Sequence, residues 1–303
     1  MKRIVITGGT GLIGRALSSS LLADGYEVVI LSRNPERAVG LPPGARAERW
    51  DARTAAGWGA LADGAYAVVN LAGEGIASGR WTAERKQRIR DSRLNAGRAV
   101  VEAIEAARTR PHVVVQASGV GFYGNVPEGV ASENRQAGRD YLARLAVEWE
   151  ESTRQVELMG VRRVVIRTGI VLSKDGGALR RMMLPFRFFI GGRVGSGKQW
   201  MSWIHIADEV GAIRFLIENP KAVGAFNLSA PNPVTNADFS RALGRRLRRP
   251  AAVPAPGFLL HLLFGEMASV LLDGQKAVPR RLIHLGYTFR FAEIDAALAD
   301  ILA

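Results

Sequence analysis

The chain has 303 residues, 48% hydrophobic and 23% charged, which is enough apolar material for one large domain or two modest ones. Lys and Arg outnumber Asp and Glu 41 to 28, a formal net charge of +13, and 35 of the 41 basic residues are arginines. With no cysteine and four scattered histidines, the composition excludes a disulfide framework, a thiolate metal site and a cysteine nucleophile, and no metal is expected.

Met1-Lys2-Arg3 has the charge of a signal-peptide start, but the apolar run Ile4-Val5-Ile6 meets glycines at once. A signal segment needs roughly 7–15 apolar residues there, so a cytoplasmic protein is expected. Residues 4–7 read as a strand, after which Leu12, Leu17, Leu21 and Leu22 recur at helical spacing. Residues 27–31 read as a second strand, stopped by Ser32-Arg33-Asn34-Pro35. Residues 65–71 form a third, and Thr82 caps a helix to about residue 108, with Pro111 just beyond. A strand over 112–117, a helix over 139–159 closed by Gly160, and a strand over 161–166 continue the alternation. Glycines then break up 175–198, as loops closing over something would require. Residues 206–217 are helical, 224–229 strand-like, and helices dominate from Thr235 onward, interrupted by Pro250, Pro254 and Pro256. The apolar stretch 257–265 is far short of the roughly 20 residues that span a bilayer. It also lacks the basic face of a surface-lying helix, so no membrane contact is expected.

Strands apolar on both faces and separated by helices predict an α/β fold: a doubly wound parallel sheet of the Rossmann kind with a smaller C-terminal substrate lobe. The expected division is 1–171 plus 204–228 for the nucleotide-binding domain, and 172–203 plus 229–303 for the substrate lobe.

Thr7-Gly8-Gly9-Thr10-Gly11-Leu12-Ile13-Gly14 links the first strand to the first helix. It satisfies G-x-x-G-x-x-G through Gly8, Gly11 and Gly14, and G-x-G-x-x-G through Gly9, Gly11 and Gly14. Such a turn lets backbone approach a pyrophosphate, which the helix N-terminus then attracts. Cofactor choice is read at the end of the second strand. An acid there would bond both ribose hydroxyls of NAD, but this chain has Ser32 and Arg33, which suit a 2′-phosphate. NADP(H) is therefore expected, the plainer reading of Arg33 being one more surface arginine. Asp51 is placed either to accept from an adenine amino group or as an exposed loop acid.

Three stretches resemble the extended short-chain dehydrogenase/reductase superfamily: Thr7–Gly14, Asn70-Leu71-Ala72-Gly73-Glu74, and Ser118-Gly119-Val120-Gly121-Phe122-Tyr123-Gly124. Trp203-Ile204-His205-Ile206-Ala207-Asp208 fits the same superfamily. The loop 191–200, the segment 233–239 and the tail 274–282 are similar to its "epimerase family" branch, which carries a C-terminal domain of unknown function. The resemblance implies a Rossmann core, NADP binding and a substrate lobe. It implies that Thr10, Gly11, Leu12 and Ile13 lie over the pyrophosphate, with Ser32 and Arg33 at the 2′-phosphate. Leu71, Ala72 and Gly73 would pass under the adenosine ribose with Glu74 close by, and Arg93 would face the cofactor. Thr168, Gly169, Ile170 and Val171 would stand beside the nicotinamide. It also implies a homodimer through the helical stretches 82–108 and 139–159.

The superfamily's catalytic pattern is Tyr-x-x-x-Lys with a strand-end Ser or Thr, the lysine lowering a tyrosine pKa that is otherwise near 10. Here Tyr141-Leu142-Ala143-Arg144-Leu145 keeps the tyrosine and lacks the lysine, with Arg144 one position short of it. Ser118 lies one residue before the position of the usual hydroxyl, which Gly119 holds. Tyr141 reads as an acid/base, a packed aromatic or a substrate contact, and Tyr123 is a second candidate for the substrate side. Lys198, Gln199 and Trp200 are expected on the far wall of the pocket, the alternative being a surface hairpin. His205 and Asp208 read as structural, Asp208 capping the helix it opens, and Glu133 reads as a solvated loop acid. The expected activity is NADP(H)-dependent oxidation–reduction or epimerisation at a hydroxyl or carbonyl of a small polar molecule. The alternative is an NADP(H)-binding sensor without turnover. Arg241, Arg245, Arg246, Arg248 and Arg249 have no aromatic interleaving, so no nucleic acid is expected.

Overall fold

The apolar runs of the first two thirds of the chain become neighbouring strands of one sheet. The computed structural model describes residues 1–303. Its first half comprises β1 (Arg3–Thr7), α1 (Leu12–Ala23), β2 (Glu27–Ser32), β3 (Arg46–Arg49), β4 (Ala67–Asn70), α2 (Ala83–Ala106), β5 (Val113–Gly119), β6 (Val126–Ala131), α3 (Tyr141–Glu151) and α4 (Gln155–Leu158). There follow β7 (Arg162–Thr168), β8 (Ile170–Leu172), α5 (Gly177–Arg187), β9 (Trp200–Met201), β10 (Trp203–His205), α6 (Ile206–Glu218), β11 (Gly224–Leu228), β12 (Val234–Thr235) and α7 (Asn236–Leu247). The tail holds α8 (Gly257–Phe264), α9 (Ser269–Leu272), β13 (Gln275–Ala277), α10 (Arg280–His284) and α11 (Ile294–Ile301).

Seven strands pair in the order β11-β7-β5-β4-β1-β2-β3, every pair parallel. Side chains alternate across the sheet, so one run feeds two cores. Ile4, Ile6, Val28 and Ile30 pack under α1 and α6, while Val5, Val29, Val68 and Val114 pack under α2. The chain moves outward from β1 to β3, then crosses back to β4 and on toward β11. That reversal opens a crevice at the carboxyl ends of β1 and β4, the place where such sheets bind ligands.

Several elements differ from the expectation: α5 is a helix inside the stretch 175–198 expected as loops, and the short strands β6, β8, β9, β10, β12 and β13 were not expected. β3 carries no apolar run to mark it, being Arg46-Ala47-Glu48-Arg49, and it pairs only with β2 at the sheet edge, where charged side chains oppose further strand addition. The helix expected over 139–159 is two pieces, α3 and α4, broken at 152–154, where Ser152 packs closely on Gly97 of α2.

A third core draws Leu179, Met183 and Phe186 of α5 together with Trp203, Phe239, Leu243 and Leu298, all from 172–203 and 229–303. The tail then returns to the sheet: β13 pairs with β6, and Leu282 of α10 lies in the α1–α6 core. Asp208, expected as a helix cap, is fully buried and instead accepts the N–H groups of Arg290 (2.8 Å) and Phe291 (2.9 Å), pinning that tail. His205 caps α6 in its place, its Nδ1 accepting the Ala207 N–H at 3.0 Å.

Candidate functional site

The crevice begins at the glycine turn between β1 and α1. Gly8 has φ +68°, and a Cβ there would stand 2.7 Å from the Leu71 carbonyl carbon; one at Gly14 would stand 2.5 Å from Gly9 Cα. These two positions hold the turn against β4 and against itself. A Cβ at Gly11 would approach only the Gly8 oxygen, at 3.2 Å, so Gly11 keeps the turn's surface bare. Gly11 is also the N-cap of α1, without a side-chain cap and with no acid in the first turn. The N–H groups of the first turn therefore point into the crevice unsatisfied by side chains, an arrangement that fits a pyrophosphate. Beside it, a cleft of about 590 Å³ runs past Thr10, Leu12 and Arg15 to Ser173 and Gly177.

At the end of β2 the Arg33 side chain is exposed and pairs with no carboxylate, while its neighbour Arg49 is engaged by Glu36 at 3.0 Å. Ser32 Oγ accepts the Asn34 N–H at 3.2 Å and can still donate. The pair would suit a phosphate on the adenosine ribose, the nearby Glu36 being engaged by Arg49. Asp51 is exposed and tied into its own loop. Its Oδ1 accepts from Arg53 N (2.7 Å) and Thr54 N (2.9 Å) and its Oδ2 from Thr54 Oγ1 (2.8 Å), which holds its pKa below the usual carboxylate range, the Thr54 N–H foremost.

Under the crevice a buried polar chain ties three strand ends together: Thr7 Oγ1 donates to Asn70 Oδ1 (2.6 Å), and Asn70 Nδ2 donates to Gln116 Oε1 (2.9 Å). The Ala72 N–H donates back to Thr7 Oγ1 at 3.2 Å, which fixes the path of Leu71, Ala72 and Gly73 across the turn. Arg93 lies beneath this loop, its guanidinium carbon 3.2 Å from where a Cβ of Gly73 would be. It donates to the carbonyls of Glu74 (3.0 Å) and Ile89 (2.9 Å) and stacks 4.6 Å over Trp149, with no carboxylate partner. Burial pushes its pKa down to about 10, so it stays charged at neutral pH. Glu74 is held by Arg85 at 2.8 Å.

On the opposite side, Thr168 Oγ1 donates to Glu209 Oε1 of α6 at 2.9 Å. Glu209 is fully enclosed, and burial pushes its pKa up to about 8. A Cβ at Gly169 would drive into the Ser202 carbonyl, so glycine lets β10 pass, and Val171 pairs with Ile204.

Ser118 and Tyr141 do not share a site. Ser118 Oγ donates to Glu150 Oε1 at 2.7 Å, near the C-terminal end of α3, where Arg167 clamps both Glu150 oxygens at 2.8 and 2.9 Å. Tyr141 opens the same helix, nine residues earlier and about 13 Å along its axis. Its hydroxyl donates to the Lys86 carbonyl at 3.2 Å, and its ring packs edge-on to Trp81. Arg144 bonds the Arg139 carbonyl and is exposed, so it does not stand in for the missing lysine. The cations that reach Tyr141 come from α2: the Lys86 ammonium stands 4.8 Å over its ring, and the charge of Arg93 favours its ionised form. Burial outweighs that charge and leaves the tyrosine pKa raised.

Three other expected residues are structural. Tyr123 is 2% exposed, donating to Asn227 Oδ1 (2.6 Å) and accepting from Arg167 (3.2 Å), so its hydroxyl is closed to a substrate. Glu133 is no solvated acid but is buried, its Oε1 accepting the N–H groups of Asn227 (3.1 Å) and Arg281 (3.2 Å). Gln199 donates to the carbonyls of Val194 (3.0 Å) and Leu271 (2.9 Å), locking the loop to the tail. Lys198 is exposed, and Trp200 is half-buried under the Lys276 ammonium at 4.5 Å.

The profile of the NAD dependent epimerase/dehydratase family matches residues 4–229. The chain belongs to that family. A second profile, the domain of unknown function DUF1731, matches residues 255–301 of this epimerase/dehydratase-family chain. The chain is 40% identical over 301 residues to the chloroplastic epimerase family protein SDR39U1 homolog of Arabidopsis thaliana, covering 99% of this chain and 86% of the relative. It is 37% identical over 310 residues to the epimerase family protein YfhF of Bacillus subtilis, covering 99% and 98%. Among solved structures, human epimerase family protein SDR39U1 (isoform 2), crystallised with NADPH, superposes with a TM-score of 0.88 at 35% identity over 99% of each chain. The resemblance of the motifs to the epimerase branch, and the doubly wound fold, thus stand.

Sequence reasoning did not single out Lys86, Glu150 or Glu209. Lys86 and Arg93 are seven apart, two helical turns on one face of α2, which is a readable signal once that face is known to meet α3. Glu150 and Glu209 carry no local signal, being ordinary helix acids until the sheet encloses them.

Proposed function

We propose that this chain binds NADP(H) and carries out oxidation–reduction or epimerisation at a hydroxyl or carbonyl carbon of a small polar substrate. The observation that carries the reading is the uncapped α1 N-terminus beside the unpaired Arg33 at the end of β2. The NADPH bound to the human relative supports it. Bound there, the nicotinamide supplies or accepts a hydride at C4. The first-turn N–H groups of α1 hold the pyrophosphate, and Arg33 with Ser32 holds the 2′-phosphate. Arg93 adds a fixed positive charge under the Gly73 loop, and Thr168, anchored by Glu209, shapes the strand end opposite. Tyr141 Oη is the proton-bearing group, released from the Lys86 carbonyl when substrate offers a better acceptor. Arg93 then favours the tyrosinate that a proton transfer leaves.

A second reading, an NADP(H)-binding sensor without turnover, is favoured by one observation: Ser118 is committed to Glu150, so no serine–tyrosine–lysine relay is assembled. The two separate on incubation of the protein with NADPH and a panel of carbonyl compounds and nucleotide sugars. Substrate-dependent NADPH consumption, or interconversion of sugar epimers, with loss of either in Tyr141→Phe, supports the enzyme. Tight NADPH binding that no candidate substrate turns over supports the sensor.

A further inference from the structure

The substrate lobe carries an apolar strip that nothing in the chain covers. α8 has no buried residue, and Phe258, Leu259, Leu262 and Leu263 follow one face, with Phe258 at 74% and Leu262 at 69% exposure. Beyond α5 the side chains of Phe188, Phe189 and Ile190 are exposed as well, Phe188 at 72%. The two groups are joined by a short ladder. Val253 N donates to Gly191 O (3.0 Å), Ala255 N to Arg193 O (2.9 Å) and Gly195 N to Ala255 O (2.8 Å), and Val253 is exposed between them.

Within the segments that form this strip the charge has one sign, the nearest acids being Glu266, paired with Lys86, and Asp273 beside His261. Residues 176–203 and 239–264 together contain ten Lys and Arg and no Asp or Glu. Eight of the ten have no carboxylate partner, the exceptions being Arg241 with Asp238 and Arg245 with Asp295. The cations touch the strip itself. The Arg249 guanidinium lies 4.4 Å over Phe189, Arg193 is on the ladder, Arg187 precedes Phe188, and Arg80 donates to the Leu262 carbonyl. The stretch 257–265 read as lacking a basic face because the arginines come from α5, the 191–195 loop, the segment after α7 and the loop before α2.

We propose that this face docks on an anionic lipid bilayer surface, α8 and the 188–190 knuckle entering the acyl boundary while the arginines meet headgroup phosphates. Apolar side chains on a projecting ridge, rimmed by cations, are the two components of interfacial binding. A second copy of the chain fits less well, because an isologous interface would set the same unpaired arginines against one another. No helix is long and apolar enough to cross a membrane, so the docking is peripheral.

The test is co-sedimentation of the full chain with phosphatidylcholine vesicles and with phosphatidylcholine–phosphatidylglycerol vesicles, beside analytical ultracentrifugation without lipid. The variants are Phe258→Asp with Leu262→Asp, and Arg187→Glu with Arg249→Glu; all four side chains are exposed, so both should melt with the wild type. The expected result is binding to the anionic vesicles only, weakened by salt and reduced about tenfold or more by either variant. Absence of binding to anionic vesicles overturns the proposal, as does binding that the Phe258/Leu262 variant retains. A wild-type dimer that this variant splits assigns the face to a second copy and overturns it as well.

Discussion

Glu209 shows how one residue's setting decides its chemistry. Its carboxyl has the Thr168 hydroxyl as its only partner and is enclosed by α6 and the sheet, so its pKa moves from 4.5 to about 8. Between those values the native state holds a proton that the unfolded state has lost. Stability therefore falls as pH rises through that window, and the burden is fully present above pH 8. Glu209→Gln removes the titration. Thermal or urea unfolding across the window should show wild-type stability falling relative to the variant by at most about 1.4 kcal/mol per pH unit; parallel curves would place the carboxyl's pKa near its ordinary value. The glycine turn Gly8–Gly14 was legible because the chain reversal and the close approach of Leu71 need glycines locally, in adjacent residues. Glu133 and Tyr123 were not, since what buries them is Asn227 and Arg281, distant in the chain.

At the scale of elements, the site's shape depends on how α3 meets the sheet. Arg167 of β7, itself 6% exposed, grips Glu150 through both oxygens, stacks 3.4 Å over Phe122 and donates to Tyr123, so one guanidinium joins α3, β7 and the loop after β5. Arg167→Ala leaves Glu150 nearly buried without its counter-charge. It should cost about 3–5 kcal/mol in urea unfolding, and a loss near zero would mean the pair is solvated. This contact also explains why Ser118 stands apart from Tyr141. The strand that carries Ser118 and the helix that Tyr141 opens were visible in the sequence, but the face of α3 that meets β5 is set by Arg167 and Glu150. The strands were legible because burial on both faces leaves continuous apolar runs, whereas β3 at the edge has charged residues and no such run.

For the whole molecule, the reversal of strand order between β1 and β4 places the glycine turn, the Gly73 loop and the end of β2 around one crevice. The net charge of +13 is spread unevenly over it. Some arginines serve the interior, as Arg93 and Arg167 do, one faces the crevice unpaired as Arg33, and a group without acids rims the exposed apolar strip. The stretches expected to pair two copies, 82–108 and 139–159, expose only Val147 and Leu158 among large apolar side chains, while 172–203 and 229–303 expose many more. What joins these scales is the claim that an anionic dinucleotide is selected by its 2′-phosphate. The direct measurement is calorimetric titration of NADPH and NADH into the wild type and Arg33→Ala. The account predicts that the wild type prefers NADPH and that the variant loses about tenfold or more of NADPH affinity with NADH binding unchanged. Equal binding of the two nucleotides by the wild type, or an equal loss of both in the variant, would contradict it.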